Sequence, residues 1–205
     1  MKYSFLPRMM WCVFQGTFTA QLRKLTTVPP KVIMRGAQKW YRGILASIPE
    51  FERNDPFFIN LLSAAMLAAI YLELPEKPPL EQITAYYHRA MTGNSTMRLY
   101  LHHRNSYMPK ARHTLSRQAF ASQFRNNPYT WKFSYKPGPD LNSYTATFFT
   151  CGIKRLFDEL GISEITPAMC TYDYGMAELS GSVFSRHYTL ANGGPYCDCH
   201  YQRRT

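Results

Sequence analysis

Val183-Phe-Ser-Arg-His-Tyr-Thr-Leu-Ala191 alternates in the manner of a strand, Asn192-Gly193-Gly194 turns the chain, and Tyr196-Cys-Asp-Cys-His-Tyr-Gln202 runs back. Asparagine followed by paired glycines supplies the positive backbone angles that a tight hairpin turn needs. The reading is therefore an antiparallel C-terminal hairpin. Alternation on its return strand sets Cys197 and Cys199 on one face, and Asp198 and His200 on the other. On the outgoing strand, Arg186 and Tyr188 face opposite ways from His187 and Thr189.

Upstream of the hairpin, Thr166-Pro167 opens a helix that carries Cys170 and Asp173 and ends near Gly181. Tyr144 to Leu160 has apolar residues at helical spacing, and Gly161 is placed to follow that helix as its cap. Earlier still, Tyr129-Thr-Trp-Lys-Phe-Ser-Tyr-Lys136 alternates aromatic with polar residues, which predicts a strand. Pro137-Gly-Pro-Asp140 turns the chain after it. Everything before about residue 125 reads as helix. Segments near 5–25, 32–48, 57–74 and 80–92 are each bounded by proline or glycine, with a shorter one near 114–124 and an ambiguous stretch at 96–112. The expectation is an α+β fold: a helical N-terminal part over 1–125, then an antiparallel sheet with packed helices and a C-terminal hairpin over 126–205. The two parts are expected to form one compact domain.

The composition supports a folded core, because 45% of the 205 residues are hydrophobic and 15% aromatic. The net charge of +11 is unevenly placed. From Gln82 to Pro139 there are nine basic residues and no acid, and such a stretch attracts anions. No run of five or more Lys/Arg occurs, so a nucleic-acid-binding tail is not indicated. The expected partner is a small anionic substrate, with Arg98, Arg104 and Arg112 as candidates to border its pocket. Neither nucleic acid nor membrane is expected as a partner. The apolar run Phe57 to Leu72 is shorter than the ~20 residues of a spanning helix and contains Asn60 and Ser63, so it reads as a buried helix. The apolar part of the N-terminal segment, Met9 to Phe14, is too short for a signal peptide. Five cysteines without a disulfide-framework spacing point to a reducing cytoplasm.

Three residues apart on a helix, Cys170 and Asp173 share a face. One reading is a nucleophilic thiol beside an acid/base carboxylate. The other is a buried cysteine and an aspartate bonded to nearby backbone. Cys197 and Cys199 can hold a metal only if further ligands approach, and their spacing is not that of a zinc finger or ribbon. An arginine at 186, beside a pocket, suits bidentate carboxylate binding, unless it is a surface ion pair. His88, His102 and His103 have no carboxylates at metal-ligand spacing. No phosphate-binding or dinucleotide fingerprint is present, and no cofactor or metal is expected.

The order of these groups resembles the L-2-amino-thiazoline-4-carboxylic acid hydrolase family. Its pattern has Pro-x-x-Cys-x-x-Asp, then Arg-x-x-Thr-Leu-Ala, a glycine turn and Cys-Asp-Phe-Arg. Here the matching positions are Cys170, Asp173, Arg186, Thr189, Gly193, Cys197 and Asp198. Cys199 and His200 stand where that family has Phe and Arg, which bears on substrate preference. The resemblance implies hydrolysis of a carbon–nitrogen bond in a small cyclic amidine bearing a carboxylate, giving a carbamoyl-cysteine, without an organic cofactor. It implies Cys170, Asp173, Cys197 and Asp198 as the catalytic group, and Arg186, Thr189 and His187 on the substrate. The ending also looks like that of vinyl-reductase-type domains, which bind small molecules or metal without hydrolysing anything.

Overall fold

The computed structural model describes residues 1–52 and 55–204. Six helices come first: α1 (Phe5–Leu22), α2 (Pro30–Ser47), α3 (Phe58–Glu73), α4 (Leu80–Thr92), α5 (Ser95–His103) and α6 (Pro109–Ser122). Strands β1 (Phe133–Pro137) and β2 (Ser143–Phe148) follow, then α7 (Gly152–Glu159) and α8 (Thr166–Leu179), then β3 (Ser182–Ser185) and β4 (Cys197–Arg203). The order across the sheet is β1-β2-β4-β3, with every neighbouring pair antiparallel. This is the expected α+β architecture.

Helix boundaries fall where the chain's punctuation puts them. Proline occupies the first turn of α2 and of α6, where a missing N–H leaves no partner unsatisfied. Between α4 and α5, Gly93 caps one helix, and the Asn94 side chain accepts the Met97 N–H of the next at 3.0 Å. Ahead of α3, the Asp55 carboxylate accepts the Phe57 N–H at 2.9 Å in a turn. It also accepts from Thr130 Oγ1 at 2.6 Å and faces Arg125 at 3.6 Å, which ties the start of α3 to the segment after α6. Helix α3 is buried along its whole run from Leu61 to Tyr71. Its core is continuous with Leu156 and Phe157 of α7 and with Ala168, Met169 and Tyr172 of α8.

One face of the sheet is apolar throughout. The register sets Phe133 opposite Phe148, Ala146 opposite Cys199, Phe148 opposite Cys197, and Phe184 opposite Tyr201. Tyr144 stacks on Tyr201 at 4.9 Å and Phe133 on Phe148 at 5.1 Å. Ala177 of α8 covers the Cys197, Cys199 and Phe184 end of this face, and Ala119 of α6 covers the Phe133 and Ala146 end. By alternation, the opposite face carries Thr145, Thr147, Ser185, Asp198 and His200.

Three local expectations are corrected. The span 144–160 is not one helix: its first part is β2, the second strand of the sheet, because Tyr144, Ala146 and Phe148 at period two fill the inner face between β1 and β4. The first strand begins at Phe133 rather than Tyr129, although Tyr129 and Trp131 remain buried against the helical core. The third strand ends at Ser185 rather than Ala191. Beyond it, the N–H groups of His187 and Tyr188 bond to the Asp198 carboxylate instead of extending the ladder. The turn at Asn192 holds: a short 3-10 turn over Leu190–Asn192 ends at Gly193, whose φ of 79° lies in the left-handed region that glycine tolerates.

Candidate active site

Helix α8 presents Cys170 and Asp173 on one face, and the chain leaving β3 brings Arg186 against both. The Arg186 guanidinium donates to Asp173 Oδ2 at 2.8 Å and to the Cys170 carbonyl at 2.6 Å. Its carbon centre lies 5.4 Å from the Tyr174 ring and 5.3 Å from that of Phe184, so the cation is packed between aromatic groups. The arginine side chain is 7% exposed, while Asp173 keeps 29%. Burial pushes the Asp173 carboxyl up to about 6, with Arg186 holding it back from rising further. A carboxyl in this position changes protonation close to neutral pH, which is the range a general acid or base needs.

Four thiols lie within the electrostatic reach of that carboxylate: Cys151, Cys170, Cys197 and Cys199. Burial is the largest influence on each and raises all of them, and the charge of Asp173 raises them further. Cys151 reaches about 11. Cys170 and Cys199 are pushed well up, with Arg186 pulling in the opposite direction. Cys151 is the residue preceding α7, where its sulfur accepts the Lys154 N–H at 3.5 Å. Cys197 accepts the Leu190 N–H at 3.2 Å. All five cysteines are free thiols. At neutral pH the four around Asp173 are held protonated, so any of them attacks only as its proton departs.

Cys170, Asp173, Arg186 and Cys197 therefore come together. Cys151 and Cys199 join them; the sequence offers Cys199 only as the partner of Cys197 in a metal pair or as a determinant of substrate preference, and Cys151 only as a core residue or a further metal ligand. A usable signal existed for Cys199, since alternation sets it on the face of Cys197. Cys151 depends on where β2 ends, which is not a local property of the sequence. Asp198 lies on the other face of β4. Its Oδ1 accepts the N–H groups of Tyr188 at 2.6 Å and His187 at 3.0 Å. Burial pushes its carboxyl up, but these backbone donors outweigh burial and leave it below its ordinary value. His187 is mostly exposed, and its Nδ1 lies 3.3 Å from Asp198 Oδ2. Thr189 accepts the Asn192 N–H at 3.1 Å, which closes the 3-10 turn.

Among the basic candidates, Arg112 is buried and fully engaged. It donates to Tyr135 Oη at 2.7 Å and to the carbonyls of Asp140 and Ser143 at 2.9 Å each, so it holds the β1–β2 turn. Arg104 is exposed in the segment after α5, and its charge offsets a small part of the rise that burial imposes on the Tyr144 and Tyr201 hydroxyls, both of which stay above their ordinary value. An open concavity between α4 and α8 is lined by Leu80, Thr84, His88, Arg89, Pro167 and Thr171, within one turn of Cys170 on α8. No helix among the described residues is long and apolar enough to cross a membrane.

The family model described as L-2-amino-thiazoline-4-carboxylic acid hydrolase matches residues 59–201, from the second residue of α3 through most of β4. No curated protein and no solved structure matches the chain.

Proposed function

Because the chain belongs to the L-2-amino-thiazoline-4-carboxylic acid hydrolase family, we propose that it hydrolyses a carbon–nitrogen bond of a small cyclic amidine bearing a carboxylate. The observation that carries this reading is the half-buried Asp173, titrating near 6, with the Cys170 thiol on its face of α8 and Arg186 bonded to it. The substrate carboxylate exchanges with Asp173 on the Arg186 guanidinium, which suits paired N–H donation. Losing its counter-charge, the Asp173 carboxylate becomes a stronger base for the proton that the reaction releases.

In the covalent route the Cys170 proton passes to Asp173 as sulfur bonds to the amidine carbon. The substrate enters as the amidinium, so the C=N π electrons that move to its already protonated ring nitrogen leave that nitrogen neutral. Asp173 then returns its proton to that nitrogen as the carbon–nitrogen bond breaks. Water adds to the same carbon, Asp173 takes a water proton, and the Cys170 sulfur leaves and is reprotonated. The net change is substrate plus one water. A second route has specific support, because burial and Asp173 hold Cys170 protonated. In that route Asp173 activates water directly, and Cys170 shapes the site. Cys197 and Cys199 line the inner face of β4 beside either route, while Asp198, His187 and Thr189 hold the 186–198 segment that carries Arg186. Thiols kept reduced for this role fit a cytoplasmic setting.

The test is incubation with 2-amino-thiazoline-4-carboxylate, mass measurement of the product, and separate assays for a freed amine and a freed thiol. A product one water heavier with a new amine is expected. A product with a new thiol would move the cleavage to the ring sulfur, and no turnover across a panel of cyclic amidines and lactams would refute the reading. Cys170→Ser and Cys170→Ala should each lose orders of magnitude in kcat by the covalent route. Wild-type turnover in both, with intact folding, selects the water route.

A further inference from the structure

The polar face of β4 carries a second constellation, which the hydrolytic reading uses only to hold the segment that carries Arg186. Asp198 and His200 are two apart on that face. His187 reaches them from the segment after β3, because the Asp198 carboxylate holds its backbone N–H. His187 Nδ1 and His200 Nε2 each lie 3.3 Å from the same oxygen, Asp198 Oδ2. The three donor atoms all fall within 4.8 Å of one another. We infer that His187, Asp198 and His200 form a binding site for one divalent transition-metal ion of the zinc class.

Three observations support the site. The first is spacing. Tetrahedral bonds of about 2.0–2.1 Å from zinc to nitrogen or carboxylate oxygen place neighbouring ligand atoms about 3.3–3.4 Å apart. Both edges at Asp198 Oδ2 have that length, at the long end for an N–H···O hydrogen bond.

The second is orientation of the ligand. Thr145 pairs with His200 across the β2–β4 ladder, and its hydroxyl lies 2.9 Å from His200 Nδ1. A hydroxyl accepting the Nδ1–H fixes the tautomer that leaves the Nε2 lone pair directed at Asp198. This is the outer support that metal-ligating histidines commonly have.

The third is the donor set and its access. Two imidazoles and one carboxylate suit zinc and its first-row neighbours, and the thiols, which would draw a softer ion, are on the other face of the strand. His187 is 79% exposed and His200 42%, so a fourth coordination position opens to solvent for water or a small carboxylate. A bound ion would clamp the 186–188 segment to β4, next to Arg186 but across the sheet from Asp173.

The experiment uses the reduced, chelator-stripped protein, titrated calorimetrically with zinc and spectroscopically with cobalt(II). One equivalent of zinc is expected. Cobalt should give visible ligand-field bands without sulfur-to-cobalt charge transfer. His187→Ala and His200→Ala should each weaken zinc binding at least tenfold, and Thr145→Ala by roughly 10–100-fold through lost orientation of His200. The exposed His187 is the variant least able to disturb folding, and circular dichroism of each metal-free variant checks that directly. Zinc affinity unchanged in both histidine variants would overturn the site. So would a cobalt spectrum dominated by sulfur charge transfer, or the absence of saturable zinc uptake.

Discussion

At the scale of single residues, the balance between Asp173 and Arg186 decides the chemistry. Burial raises the Asp173 carboxyl from 3.8 to about 6, and the guanidinium opposes that rise. Used as a base, Asp173 should give a kcat/KM that climbs with pH through about 6 and then levels. Replacing Arg186 with Met removes the opposing charge and should move that limb to higher pH. Asp173→Asn should abolish the limb together with most of the rate. A profile in which Arg186→Met leaves the limb in place would separate it from Asp173. The same shift has a sign in stability. The folded state holds this proton more tightly than the unfolded chain does, so Asp173 costs stability increasingly as pH rises from about 4 through about 6. Asp173→Asn should therefore stabilise the fold more at pH 8 than at pH 4, in paired denaturant titrations.

At the scale of elements, one buried cluster joins parts of the chain far apart in sequence. Asp55 accepts from Phe57 N–H and Thr130 Oγ1 and faces Arg125, whose Nη1 is buried with no hydrogen-bond partner among the described residues. Asp55→Ala would leave that guanidinium uncompensated, at a cost of roughly 3–5 kcal/mol by analogy with other broken buried pairs. Urea unfolding measures this, and Asp55→Ala combined with Arg125→Met should recover part of the loss. If the single variant unfolds at the wild-type midpoint, the cluster is not what ties α3 to the segment after α6.

The helices around this cluster were legible because proline, glycine and Asn94 mark their ends locally. Strand β2 was not. Thr145-Ala-Thr-Phe148 sits in a stretch whose apolar residues fit a period of 3.6 as well as a period of two, and the pairing with Cys197–Gln202 that decides between them is non-local. The site divides in the same way. Cys170 and Asp173 follow from spacing on one helix. The end of β3 at Ser185 follows from backbone N–H groups captured by a carboxylate ten or eleven residues later, and no local pattern shows that.

At the scale of the whole molecule, the question is what a net charge of +11 does. Of the nine basic residues between Gln82 and Pro139, Arg112 and Arg125 are buried, and Arg112 is committed to the β1–β2 turn. Arg89 donates to Gln21 Oε1 at 3.2 Å. The others are spread over α5, α6, β1 and the connections between them. Tight contact with a nucleic-acid backbone draws on ~6–10 phosphates, each met by a cation on one continuous surface. Capturing one substrate carboxylate needs one or two cations; Arg186, bonded to Asp173 and packed on Phe184 of the inner face, supplies one, and Arg104 is the candidate for a second. Fluorescence anisotropy at physiological salt should therefore show no binding to unrelated duplex or single-stranded DNA tighter than the ~10⁻⁶ M edge of non-specific association. Neutralising Arg104 to Met should instead raise KM for a carboxylate-bearing amidine while leaving a neutral analogue unchanged. Submicromolar DNA affinity, or an Arg104→Met variant that treats both substrates alike, would show that the charge of this segment is directed elsewhere.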